Sequence, residues 1–90
     1  METEFKKSFS NDIKKILDPA LKEEIKQVIL SVEKAIEKKD IPKLKKLKGS
    51  KKGIYYRIKV GAYRIGLTIE NNTVTFVVFQ PRKDIYKLFP

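Results

Sequence analysis

The stretch "YYRIKVGAYRIGL", residues 55–67, gathers three strong cations, Arg57, Lys59 and Arg64, which are unusual choices for the middle of a sheet. Side chains of this kind hold phosphate groups and stabilise negative charge that develops during a reaction. Any chemistry here must rest on Lys, Arg, Tyr or carboxylates. The chain has no His and no Cys. Every Ser-His or Cys-His arrangement is thereby excluded, as are disulfides and thiolate zinc sites. The carboxylates of the second half, Glu70 and Asp84, stand isolated, so no paired-carboxylate chemistry and no metal or other cofactor is expected.

These cations lie in a region of period-two patterning. Tyr56, Ile58 and Val60 alternate with Tyr55, Arg57 and Lys59, and Tyr63, Ile65, Leu67 and Ile69 alternate with Arg64, Gly66, Thr68 and Glu70. Gly61-Ala62, with Gly first, fits a type II′ hairpin turn. That turn sets Val60 opposite Tyr63, Lys59 opposite Arg64 and Arg57 opposite Gly66. Cross-strand partners share a face, so the three cations share one. Asn71-Asn72 is a second tight turn, since Asn tolerates positive φ. The third strand runs from Thr73 to about Gln80, with Leu67 facing Phe76 and Ile65 facing Val78 on the opposite, apolar face.

Like charges directly opposite each other destabilise a strand pair by up to ~1 kcal/mol. Gly66 is also a poor strand residue, although it leaves room above the sheet. A local cost without structural return points to a functional face. The competing reading is a solvated outer face, but such a face mixes signs, and here no acid appears before Glu70. Tyr55, Val77 and Phe79 fall on the same face by parity, and aromatics beside cations suit base stacking. The run "KLKKLKGSKK" reads as a solvated helix end and a lysine-rich loop, the loop bracketed by Gly49 and Gly53, whose charge steers nucleic acid; Lys51 and Lys52 are candidate phosphate contacts. Tyr86 has a structural reading too, in which "DIYKLFP" anchors Ile85, Leu88 and Phe89 in the core.

The apolar face of the sheet needs a cover, and the first half supplies it. "TEF" near the start suits a short strand. Phe9, Ile13, Ile16 and Leu17 recur at helical spacing, predicting a helix over 8–17. Asp18-Pro19 starts another, with Asp as N-cap and Pro in the first helical position. Leu21, Ile25, Val28, Ile29, Val32, Ala35 and Ile36 form its apolar stripe to about Lys39. Ile41, Leu44 and Leu47, spaced by three, suit a turn or short helix pinned to the core. "RKDIYKLFP" closes the chain as a short turn or helix. The fold class expected is α+β, an N-terminal helical hairpin on a small antiparallel sheet, in a single domain over 1–90.

The net charge of +10, from 21 Lys and Arg against 11 Asp and Glu, selects for phosphate-rich or acidic partners. The longest apolar runs are only a few residues and the N-terminus lacks a signal-peptide core, so no membrane association and a cytoplasmic location are expected.

With these residues in place, the chain resembles the RelE/ParE toxin superfamily of prokaryotic toxin–antitoxin systems. The resemblance runs from the helical hairpin through "LKKLKG", "YYRIKVGAYRIGL" and "PRKDIYKLFP". YRIKVG-x-YRI is its most specific part, and the aromatic-Pro ending is like that of archaeal-type RelE toxins. It implies two N-terminal helices on one face of the sheet, completed by a short N-terminal strand. It implies a ribosome-dependent endoribonuclease that cuts mRNA in the ribosomal A site by 2′-hydroxyl attack, without metal, and that a RelB-like antitoxin neutralises. Carried over residue by residue, the family's cations fall on Arg57, Lys59, Arg64 and Arg82, and its C-terminal tyrosine on Tyr86. Arg64 and Arg82 would stabilise charge, Arg57 would position phosphate, and Tyr86 or Lys59 would take the 2′-hydroxyl proton. Pro81 stands where the family often has His, which puts a His-dependent mechanism out of reach. The alternatives within the resemblance are a ParE-like inhibitor of DNA gyrase that cuts no RNA, and an inactive RNA-binding homologue.

Overall fold

The computed structural model describes residues 1–48 and 52–90. In chain order it contains β1 (Glu2–Phe5), α1 (Lys7–Lys14), α2 (Pro19–Lys34), a 3-10 turn (Lys38–Asp40), β2 (Leu44–Lys46), β3 (Tyr55–Val60), β4 (Tyr63–Glu70), β5 (Thr73–Pro81) and α3 (Arg82–Leu88). The strands form one sheet in the order β1-β5-β4-β3-β2. All neighbours are antiparallel except β1, which joins β5 in parallel and makes the sheet mixed. The α+β class and the helical hairpin on the sheet stand as expected.

Two turns set the register. Gly61 takes φ +58°, and the hairpin pairs Val60 with Tyr63, Lys59 with Arg64 and Arg57 with Gly66, as the alternation predicts. Asn71 and Asn72 both adopt positive φ and connect β4 to β5. Leu67 then pairs with Phe76, but Ile65 pairs with Phe79 and not with Val78, because Val77 is an extra residue that makes a β-bulge. Beyond the bulge the parity inverts. Phe79 turns to the helical side, where it stacks on Tyr63 at 4.8 Å, and Val78 turns to the opposite face. Phe79 therefore does not belong to the cationic face.

The bulge is held from α1. Ser8 Oγ donates to the Val77 carbonyl, and the Phe79 amide donates to Asp12 Oδ2 at 2.9 Å. Ser8 and Asp12 are one helical turn apart, so a single face of α1 serves both backbone groups that the bulge withdraws from the ladder.

The main core fills the helical side: Phe9 from α1, Ile25 and Val32 from α2, Ile41, and the inward rows of β3, β4 and β5. Asp18 caps α2 through the Ala20 amide at 2.9 Å, with Pro19 at the first helical position. That helix ends at Lys34, short of Lys39. The Met1 amino group donates to the Glu33 and Ala35 carbonyls, and Asp40 Oδ2 accepts from the amides of Ile36 and Glu37, drawing the chain into the 3-10 turn. Ile36 is consequently 82% exposed, outside the apolar stripe. Leu17 is 84% exposed for a similar reason: α1 stops at Lys14 and Leu17 lies in the connection.

The segment around Leu44 is a three-residue edge strand, not a helix. Ile41 reaches the main core and Leu47 the opposite face, so residues read at helical spacing serve two sides of the sheet. On that second face Leu47, Val78, Ile85 and Phe89 form a smaller core beneath α3, with Tyr55 and Val77 against it. No described helix is long and apolar enough to cross a membrane.

Candidate functional site

The smaller core and the cations occupy the same face. Pairing builds a cross-strand row of Lys45, Arg57, Gly66 and Val78 over β2 to β5, beside a second row of Lys59, Arg64 and Gln80. α3 lies across this face. Its start is tied to the hairpin tip, where the Arg82 amide donates to the Ala62 carbonyl at 2.9 Å, and Ile85 is buried beneath it. With Ile85 turned inward, its neighbour Tyr86 faces outward and is 58% exposed. Leu88 is exposed as well, so of the residues expected to anchor this segment only Ile85 and Phe89 do so.

Arg64 is the centre of the arrangement and departs from the expected open face. It is 6% exposed. Its Nη1 donates to the carbonyls of Gly61 at 2.9 Å and Tyr63 at 2.8 Å, which folds the side chain back over the hairpin tip. Its buried Nε has no hydrogen-bond partner. The guanidinium is held below its usual pKa, first by desolvation and then by the charges of Arg57 and Arg82, with Tyr86 acting in the opposite sense. Among the described residues the only ion pair is Lys39 with Glu37, at 3.5 Å on the surface far along the chain from these groups. Among the described residues no carboxylate is paired with Arg57, Arg64 or Arg82. Cations brought together without a counter-charge, one of them nearly buried with a donor to spare, form a receptor for an anion.

Two depressions meet at Tyr86. One, of about 380 Å³, is lined by Lys45, Lys46, Leu47, Lys48, Arg57 and Pro90 together with Tyr86. The other, of about 610 Å³, is lined by Ala62, Pro81, Arg82, Lys83 and Tyr86. The side-chain donors of the first suit a phosphate backbone, and the Tyr86 ring between the two is open to a planar group.

The structure thus gathers Arg57, Arg64, Arg82 and Tyr86. Lys59 shares their face by register, but its exposed side chain lines a separate groove of about 290 Å³ between α2 and β3, with Glu23, Glu24 and Gln27. Tyr55 is half-buried with its ring edge-to-face on Phe89 at 5.4 Å, a packing role more than an open platform. Lys52 is exposed in the loop before β3, and Lys51 lies outside the described residues. Lys45, Lys46, Lys48 and Lys83 line the site without having been singled out in the sequence. The signal for Lys45 is its pairing with Arg57, which appears only once β2 is known to be a strand. Among the described residues no group of three His, Cys, Asp or Glu side chains converges to hold a metal ion.

Comparison with known proteins places these features in context. Over 91 residues, covering 100% of each chain, the sequence is 35% identical to toxin RelE3 of Methanocaldococcus jannaschii. The fold is similar to a chain of the RelB–RelE antitoxin–toxin complex from Methanococcus jannaschii, with TM-score 0.77, 34% identity, and coverage of 97% of this chain and 99% of that one. It also resembles a chain of the archaeal RelE–RelB complex from Pyrococcus horikoshii OT3, with TM-score 0.70 and 18% identity over 90% and 93% of the two chains, a likeness of fold alone. No protein-family model matches the chain.

Proposed function

The chain belongs to the RelE toxin family, and from that premise we propose that it is the toxin of a type II toxin–antitoxin pair that cuts mRNA in the ribosomal A site. The observation that carries this reading is Arg64: nearly buried, with an unpartnered Nε, and flanked by Arg57 and Arg82 with no carboxylate among them. In a purely structural sheet such a group returns only its two hydrogen bonds to the hairpin carbonyls, against desolvation and repulsion. It suits a phosphate whose charge grows in the transition state.

The reaction is attack of the RNA 2′-hydroxyl oxygen on the adjacent phosphorus. The bond from phosphorus to the 5′-oxygen of the next nucleotide breaks, leaving a cyclic phosphate and a free 5′-hydroxyl. One proton leaves the 2′-oxygen and one reaches the 5′-oxygen, and no metal takes part. Arg64 and Arg82 stabilise the charge on the phosphorane oxygens, and Arg57 holds the phosphate as it arrives. Tyr86 is favoured over Lys59 as the acceptor of the 2′-hydroxyl proton, because it sits among the cations whereas Lys59 lines the groove beside α2. Lys59 and Lys52 attract RNA from the flank, Lys51 adds its charge to that attraction, and Tyr55 supports the site through Phe89. A RelB-like antitoxin neutralises the protein by covering the cationic face, and the ribosomal target places the activity in the cytoplasm.

The test is primer extension on a reporter mRNA after brief induction, with wild type beside Arg64→Ala. Cuts confined to the translated region that vanish in the variant are expected. Growth arrest with intact mRNA would overturn the reading and point to a protein target, as in the gyrase-poisoning ParE branch.

A further inference from the structure

Gly66 is buried at the middle of β4, in the row between Arg57 and Val78. A Cβ there would come within 2.7 Å of Phe89 Cδ2, 2.9 Å of Phe89 Cγ and 2.7 Å of Val78 Cγ2. The glycine therefore makes a slot in the sheet surface, and the Phe89 ring fills it. Phe89 is itself nearly fully buried and packs against Val78, Ile85, Leu47 and the edge of Tyr55. Its amide closes the last turn of α3 on the Ile85 carbonyl at 2.8 Å. α3 is thus fastened at both ends, by the Arg82 amide on Ala62 and by Phe89 over Gly66, and the proton-handling Tyr86 lies between the two fastenings. A helix of seven residues does not hold its shape alone.

We propose that Phe89, seated in the Gly66 slot, is a positioning residue that sets Tyr86 and Arg82 against Arg57 and Arg64. This rests on the nuclease reading above. Phe89 touches no reacting atom; it acts through the helix it fastens. Misplacement of a reacting group by about 1 Å can cost about 10²-fold in rate, so the effect falls on the chemical step.

The experiment measures single-turnover cleavage on mRNA-programmed ribosomes, together with amide hydrogen exchange of α3, for wild type, Phe89→Ala and Phe89→Leu. For Phe89→Ala the maximal rate constant is expected to fall about 10²-fold while the half-saturating ribosome concentration moves less than about threefold. Exchange in α3 should quicken while β4 stays protected, and Phe89→Leu should restore most of the rate. A wild-type rate in Phe89→Ala, or a loss confined to half-saturation, overturns the proposal. If Phe89→Ala does not fold, Phe89→Val decides in its place: a slower rate with looser α3 amides supports the proposal, and wild-type values of both overturn it. If the wild-type chain cuts no RNA, the functional reading fails separately, and α3 amides as protected in Phe89→Ala as in wild type overturn the role of Phe89.

Discussion

The two faces of the sheet are built on opposite principles. The helical face is a continuous apolar core in which Phe76 stacks on Phe5 at 5.1 Å and tilts against Phe9 at 5.3 Å, and none of its buried side chains among the described residues is charged. Among the described residues the α3 face has four buried apolar residues, and they share it with Arg64. One face supplies the free energy of folding. The other is left with unpaired cations that the fold tolerates because the first face is well packed. A site assembled from like charges is stable only on such a support.

Substitutions can sharpen that contrast. The largest effect on stability should come from Phe76→Ala, at about 3–5 kcal/mol in urea unfolding, because the ring is fully buried among aromatic neighbours and leaves a void. A loss under about 1 kcal/mol would show that the helical face is not the dominant core. Next, Asp12→Ala leaves the Phe79 amide at the bulge without its acceptor and should cost about 1–3 kcal/mol. Its cleavage rate should fall as well, since the bulge turns Val78 toward Phe89. Unchanged stability would mean that the bulge holds itself without α1.

The smallest effect lies on the cationic face. Inorganic phosphate at about ten times its Kd should stabilise the wild type by about 1.4 kcal/mol, read as a rise of several degrees in Tm, and should leave Arg64→Met unmoved. Equal stabilisation of both would place the anion elsewhere. The lowered pKa of Arg64 fixes the sign of its own contribution. The unfolded chain holds that proton more tightly than the folded one, so the charge is a constant cost at neutral pH, relieved only as pH climbs toward the arginine range. Arg64→Met should therefore unfold within about 1 kcal/mol of wild type despite losing two hydrogen bonds.

The sequence announces some parts of this molecule and conceals others for physical reasons. The β3–β4 hairpin is legible because a glycine in the turn and strict alternation point to one register. The start of α2 is legible because Asp18 and Pro19 each satisfy a known need of a helix N-terminus. The end of α2 is not, because it is decided by Asp40 and by the Met1 amino group, neither of which marks the helix itself. β2 hides in a lysine run because an edge strand is defined by its partner, and its own residues carry little strand preference. The bulge hides in Val77-Val78-Phe79, where three apolar residues in a row give no parity signal, and Phe79 is assigned to the wrong face as a result. In the site, register alone puts Arg57 and Arg64 on one face, whereas Arg82 and Tyr86 are reached only through the resemblance to RelE toxins, and the burial of Arg64 is not reached at all. Its hydrogen bonds run to backbone carbonyls of its own hairpin, which leave no trace in residue types.

The pairing of β1 with β5 has a consequence for synthesis. Glu2 waits for Thr73, and Phe5 for Phe76, so the first strand made has no partner until β5 has been synthesised. The helical hairpin likewise has no completed sheet to pack on before β5 emerges, and Arg82 and Tyr86 come later still. Long-range pairing of this kind folds slowly and late. A chain still being made therefore carries its arginines without the assembled anion receptor, which closes only once β5 and α3 have been synthesised.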